Sequence, residues 1–204
     1  MKAKILIAAA ALGAALVLTA CGGKESFTVG GVFVTYPVRV QTSVPNPGLV
    51  LANGSDTVTV PAGATSFSFP NTISYGSEYH VTIKSQPQHM TCTPLDGTEN
   101  GAAGHTQTIV VQINCNQNTY ALSGTVTGLT ADGLTIINGS NGSGASIPKD
   151  ATGFTYTERI PVGVAYGLTV LTQPTGLQCS ITNGTGVMGD ADRANISIAC
   201  VPKT

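Results

Sequence analysis

Polar and apolar residues alternate with a period of two through Tyr79–Lys84. Tyr79, Val81 and Ile83 fall on one side, and His80, Thr82 and Lys84 on the other. That pattern predicts a half-buried strand. Tyr166, Leu168 and Val170 repeat the apolar set further along. Asn53-Gly54, Asn138-Gly139 and Asn183-Gly184 punctuate the alternation, and since both residue types tolerate positive φ, each is predicted to be a hairpin turn. One stretch differs: Ile5–Ala20 is an uncharged run behind Lys2 and Lys4. After it no long segment carries a helical period. Twenty-five glycines, eleven prolines and abundant Thr and Ser fit short strands joined by turns.

The pattern is written twice. Y-H-V-T-I-K-S-Q-P-Q-H-M-T-C (Tyr79 to Cys92) has its counterpart in Y-G-L-T-V-L-T-Q-P-T-G-L-Q-C (Tyr166 to Cys179), 87 residues later. Upstream, G-L-V-L-A-N-G-S from Gly48 matches G-L-T-I-I-N-G-S from Gly133, and I-V-V-Q-I-N-C and A-N-I-S-I-A-C close the two copies. The matches are collinear, so each copy is one structural unit. Residues 27–117 and 118–204 are the expected modules, each near the ~100 residues of an immunoglobulin-type sandwich. The fold class is therefore all-β, with two tandem immunoglobulin-like β-sandwich modules. Only N-Q-N-T separates Cys115 from Tyr120, which predicts a stiff joint. Tyr79, Gln86, Pro87, Tyr166, Gln173 and Pro174 are the most distinctive repeated residues. Their repetition predicts a scaffold role, the tyrosines buried with their hydroxyls satisfied by backbone. The first copy alone carries about eight extra residues within Tyr36–Pro47, since Gly31 and Gly48 lie further apart than Gly124 and Gly133. A loop the scaffold does not need is either an ornamented connection or a place for a partner.

Residues 1–20 have the parts of a secretory signal peptide: a cationic start, an apolar run and small residues near Ala20. The apolar run is short of the ~20 residues that usually span a bilayer. Leu18-Thr19-Ala20-Cys21 then resembles the lipobox of bacterial lipoproteins. The resemblance implies that the Cys21 thiol receives a diacylglyceryl group, that cleavage makes Cys21 the mature N-terminus, and that a further acyl chain such as palmitate is added there. Two or more chains anchor stably where one does not. Gly22 follows in place of aspartate, which in the Gram-negative lipoproteins resembled implies sorting to the outer membrane. Residues 21–26 would be a lipidated N-terminus and short tether.

Lipidation of Cys21 explains an odd count of five cysteines. The other four allow three pairings. Export to an oxidising compartment favours disulfides. Metal ligation is the alternative, but there is no C-x-x-C and the histidines keep no repeated position. Cys92–Cys115 and Cys179–Cys200 are the expected bonds, one in each copy.

Charge narrows the partners. Two of the nine basic residues, Lys2 and Lys4, lie in the leader, leaving seven against ten acidic residues, a net charge of −3. Nucleic-acid binding needs a basic footprint and is not expected. Gly184–Gly189 matches G-x-G-x-x-G, but a dinucleotide fingerprint needs a strand before it, a helix opening on it and a later acidic residue. A turn-rich loop is expected there, with no cofactor. Asn53, Asn138, Asn141, Asn183 and Asn195 begin N-x-[ST] triplets, read as turn chemistry except for Asn195, which falls in a strand. Asp190 and Asp192 could offer oxygens to calcium, which usually takes six or more; no metal site is assigned, and a solvated loop is expected. His80 faces Gly167 and His89 faces Gly176 in the second copy, so the module requires neither; His80 is placed on a polar strand face, and His89 and His105 in loops. No catalytic residue is assigned, there being no G-x-S-x-G and no H-E-x-x-H.

The lipobox and the repeated Y-x-[VL]-T-[IV]-x-[ST]-Q-P-x4-C pattern together resemble bacterial outer-membrane-type lipoproteins with tandem Ig-like repeats. The resemblance covers nearly all of residues 27–204. It implies a non-enzymatic, lipid-anchored envelope protein with the membrane as one partner and a protein or glycan ligand as another. A periplasm-facing accessory of an envelope or secretion complex is the alternative, and a hydrolase a remote one. Only V-P-K-T follows Cys200, so the modules are expected to do more than carry another domain.

Overall fold

A computed structural model describes residues 25–104, 108–139 and 144–204. The leader, Cys21, His105 and Asn141 lie outside the described residues. Regular structure among the described residues is entirely β, and no helix there is long and apolar enough to cross a membrane.

The first module runs β1 (Ser26–Phe33), β2 (Val50–Asn53), β3 (Asp56–Thr59), β4 (Ser66–Ser74), β5 (Glu78–Ser85), β6 (Met90–Pro94), β7 (Asn100–Ala102) and β8 (Thr108–Gln117). Two sheets face each other, ordered β4-β1-β8-β6 and β3-β2-β5-β7. Between them lie the inward residues of the alternating strands: Phe27, Val29 and Phe33, Leu51, Phe67 and Phe69, Val81, and Ile109, Val111 and Ile113. Phe67 is central, its ring 5.6 Å from Phe33 and edge-on to Phe69 at 6.0 Å.

After β9 (Thr119–Tyr120), the second module repeats the plan with β10 (Leu122–Thr127), β11 (Leu134–Asn138), β12 (Ala145–Ile147), β13 (Gly153–Thr155), β14 (Ile160–Pro161), β15 (Ala165–Thr172), β16 (Leu177–Thr182), β17 (Thr185–Val187) and β18 (Arg193–Pro202). Its sheets are β13-β10-β18-β16 and β12-β11-β15-β17, with β9 and β14 as a two-stranded extension. The molecule is thus two tandem Ig-like β-sandwiches, each with its own core.

Both modules pair their first strand in parallel with their last, β1 with β8 and β10 with β18. Strands that run in the same direction carry the chain in at one end of a sandwich and out at the other. That pairing brings backbones very close. A Cβ on Gly31 would sit 2.0 Å from the Val111 carbonyl oxygen, and one on the equivalent Gly124 would sit 1.8 Å from that of Ile196. Glycine is required at both, for space.

Two turn expectations need correction. Asn183-Gly184 is not a hairpin: it carries the chain from β16 in one sheet to β17 in the other. Asn183 has φ 59°, and a Cβ on Gly184 would meet Ile181 at 2.7 Å and the Leu168 carbonyl at 2.9 Å, so the dipeptide serves a tight crossover. Nor is Gly184–Gly189 simply a turn-rich loop, because Thr185–Val187 is β17, paired with β15. Asn53-Gly54 does close the β2–β3 hairpin, in which Asn53 pairs with Asp56. Asn195 lies in β18.

Candidate binding surface

The repeated residues are held by one set of contacts made twice. The Gln86 side-chain amide accepts from Cys92 N–H at 2.7 Å and donates to Cys92 C=O at 3.0 Å. Gln173 does the same to Cys179 at 2.7 and 2.9 Å. Each cysteine so clipped is in a disulfide, Cys92–Cys115 and Cys179–Cys200, joining β6 to β8 and β16 to β18. Pro87 and Pro174 follow, their carbonyls accepting from Met90 and Leu177 N–H.

Tyr166 is buried and Tyr79 only half-buried. Each stands opposite a glycine of the neighbouring strand, Tyr79 opposite Gly101 and Tyr166 opposite Gly186. A Cβ there would lie 2.9 and 2.8 Å from the tyrosine hydroxyl oxygens. The expected backbone hydrogen bond to these hydroxyls is not found among the described residues. The ring covers a glycine, and the glycine's missing side chain is what makes room for it. Asn53 and Asn138 form a third repeated pair, their side-chain carbonyls accepting from His80 N–H at 2.9 Å and Gly167 N–H at 2.7 Å.

Single-copy residues gather at the joint. Only Asn118 separates β8 from β9, and it is bonded on three sides. Its N–H donates to His89 C=O at 2.8 Å, its side-chain oxygen accepts from Thr91 Oγ1 at 2.7 Å, and its C=O accepts from Val162 N–H at 3.0 Å. His89 Nδ1 meets Asp190 Oδ1 at 2.8 Å across the two modules. Asp192 accepts from Ala121 N–H at 2.8 Å and lies 3.7 Å from Arg159, which donates to Thr119 C=O at 2.6 Å. The two aspartates lie in an exposed loop, as expected, and each is engaged there by a donor at the joint. Among the described residues no group of three or more His, Cys, Asp or Glu is placed to hold a metal ion.

His80 is at an open cleft of about 820 Å³ beside Asn53, Ser55, Glu78 and Asn100. Among the described residues neither its ring nor the Ser55 hydroxyl is hydrogen-bonded, so the cleft shows no linked nucleophile and base.

The extra residues of the first copy divide into two parts. Residues 41–47 belong to the fold: Val44 is fully buried and bridged to Ala64, and Asn46 Nδ2 donates to Gln88 C=O at 2.8 Å. Residues 35–40 form a projecting tip. Thr35 N–H donates to Val40 C=O at 2.8 Å and Arg39 N–H to Thr35 C=O at 2.7 Å, closing a tight loop with Arg39 at φ 55°. On it Tyr36, Val38 and Val40 are 65%, 74% and 62% exposed. Arg39 reaches back to Gln112 Oε1 at 3.3 Å, pinning the tip over the outer face of the β4-β1-β8-β6 sheet. Beneath lies a shallow cavity of about 360 Å³ lined by Tyr36, Arg39, Thr93, Pro94, Leu95 and Asp96. Apolar side chains held out by a bonded backbone, over a groove walled by both apolar and polar residues, suit contact with a partner's apolar group flanked by hydrogen-bonding ones.

No family model and no curated protein matches the chain. Among solved structures it is similar to the Bacillus anthracis TIE protein, at 14% identity over 85% of this chain and 34% of that one, with a TM-score of 0.47. It is also similar to a C-terminal fragment of the pilus adhesin SpaC from Lactobacillus rhamnosus GG, at 11% identity, 87% and 98% coverage and a TM-score of 0.43. The shaft pilin SpaA of the same organism matches at 10% identity, 89% and 98% coverage and a TM-score of 0.29. The chain spans about a third of the length of the Bacillus anthracis protein. At these identities and TM-scores nothing about activity or ligands passes from those proteins to this one.

Proposed function

We propose that this chain is a non-enzymatic, lipid-anchored envelope protein that binds a protein or glycan partner through the first module. The observation that carries the reading is the tip at residues 35–40. Three large apolar side chains there are more than half exposed on a loop whose backbone is fixed by its own hydrogen bonds, and the second copy does without it.

Anchoring at Cys21 rests on the residues Leu18-Thr19-Ala20-Cys21 after an apolar run. The fold is compatible with it. β1 begins at Ser26, close behind Cys21, and parallel pairing of β1 with β8 sends the chain away from that end. β8 and β18 have ten residues each, and at ~3.3 Å per residue each strand spans about 33 Å. Two bonded modules in series therefore reach up to about 65 Å from the anchor. The tip lies at the end of β1 opposite Ser26, held off the membrane surface. Two disulfides fit an oxidising compartment, either the cell surface or the periplasm.

Two cell experiments test this reading. Metabolic labelling with a palmitate analogue should mark the wild-type chain and leave Cys21→Ser unlabelled; equal labelling of both removes the anchor from the account. A tag after Thr204, probed in intact and then permeabilised cells, separates the alternatives. Labelling of intact cells supports a surface ligand, and labelling only after permeabilisation favours the periplasmic accessory.

A further inference from the structure

The Gln86 and Gln173 clips lie on the free edges of their sheets, since β6 and β16 are terminal in the strand orders β4-β1-β8-β6 and β13-β10-β18-β16. Cys92 stands opposite Cys115 with Cα atoms 4.0 Å apart, and Cys179 opposite Cys200 at 3.9 Å. So close a pair is the antiparallel type that exchanges no ladder hydrogen bonds. The N–H and C=O of Cys92 and Cys179 therefore point away from β8 and β18, out along the open edge. A glutamine side chain carries the same donor and acceptor as a peptide unit. By bonding both groups of one residue, it takes the place that the next strand's backbone would occupy.

The neighbouring outward positions are treated unequally in the two modules. On the near side Met90 N–H is taken by Pro87 C=O at 3.5 Å, and Leu177 N–H by Pro174 C=O at 3.2 Å. On the far side, two residues past the cysteine, the first module has Pro94, which has no N–H to offer. The second module has Ile181 there. Other edges are short or interrupted: β3 has four residues, β7, β12, β13 and β17 three each, and β4 carries a register shift against β1. An unblocked edge is a template for a strand from another chain.

We propose that Gln86 and Gln173 are edge guards that prevent a second copy of this chain from adding a strand at β6 or β16. The first module is guarded twice, by Gln86 and Pro94. The second has Gln173 but no proline at the far position, where Ile181 keeps its N–H. A clip that merely stabilised the disulfide loop would predict no such difference between modules.

The test uses the purified full chain in detergent, with amide exchange read at Cys92 and Cys179 and association read by sedimentation velocity. Gln173→Ala is expected to exchange its Cys179 amide about tenfold faster in dilute solution, the effect of losing one hydrogen bond. At high protein concentration that amide slows again and a dimer sediments. Adding Ile181→Pro, which gives β16 the residue of the first module, abolishes the dimer. Gln86→Ala associates more weakly than Gln173→Ala because Pro94 remains. Gln173→Glu keeps the acceptor for Cys179 N–H and sets a carboxylate against its carbonyl, so it stays monomeric with a slow amide. A Gln173→Ala chain that remains monomeric at high concentration, or a Gln173→Glu chain that associates, overturns the proposal.

Discussion

Replacing Gly124 with alanine adds one methyl group at the most crowded point of the second module. The new Cβ would stand 1.8 Å from the Ile196 carbonyl oxygen, 2.6 Å from its carbon and 3.0 Å from its Cα. All three are backbone atoms, so no side chain can swing away. Ordinary contact needs at least about 3.4 Å, so β10 and β18 must part by more than an ångström at the centre of their parallel pairing, next to the fully buried Ile198. Overpacking of this kind costs about 1–3 kcal/mol. Weakening one or two ladder bonds adds about 1 kcal/mol each. The sum is about 2–5 kcal/mol, a large part of what a domain of this size has in reserve. In a module of about 85 residues that lowers the melting temperature by about 10 °C or more. Gly54→Ala is the control, since open space surrounds it and only its φ of 61° opposes a side chain, at a cost of about 1–2 kcal/mol. Thermal unfolding by circular dichroism reads both. If Gly124→Ala melts no lower than Gly54→Ala, the close approach relaxes freely and the claim that glycine is required there fails.

Other outcomes follow from the same geometry. Breaking the second disulfide with Cys179→Ser and Cys200→Ser should cost about 3 kcal/mol in the chain-entropy model, measured by urea unfolding against wild type. Asn118→Gly removes the side-chain bond from Thr91 and frees the backbone at the joint. Small-angle scattering should then broaden the distribution of overall dimensions while each module keeps its melting temperature; an unchanged scattering profile would show that Asn118 does not set the joint. Tyr36→Ser, Val38→Ser and Val40→Ser combined should alter stability by no more than about 0.5 kcal/mol per site, as surface changes do, yet abolish partner capture.

Much of the fold was legible because alternation and repetition report on burial. Val81, Tyr166 and Leu168 face their cores where period two places them, and the collinear matches identify equivalent strands in both modules. Roles that depend on a distant backbone were not legible. Gln-Pro stands out as a repeated pair, but nothing local reveals that its amide completes the edge at a cysteine six residues on. Asn183-Gly184 carries the same letters as a hairpin turn, and only the sheet assignment of β17 shows it to be a crossover. Asp190 and His89 are about a hundred residues apart, and they meet across a joint where a single residue, Asn118, separates the end of β8 from β9. The tip could be suspected from its absence in the second copy. Its division into a buried anchor at Val44 and a projecting end at Tyr36–Val40 required coordinates.

The central claim is that the tip meets a partner, and photo-cross-linking in living cells addresses it directly. A photoreactive residue in place of Val38 should give a discrete adduct. The same residue in place of Thr82, exposed on the outer face of the other sheet, should give none. That adduct should disappear when Tyr36 and Val40 are changed to serine. Equal adducts from both positions, or none from Val38 in cells where the protein is correctly exported, would contradict the account.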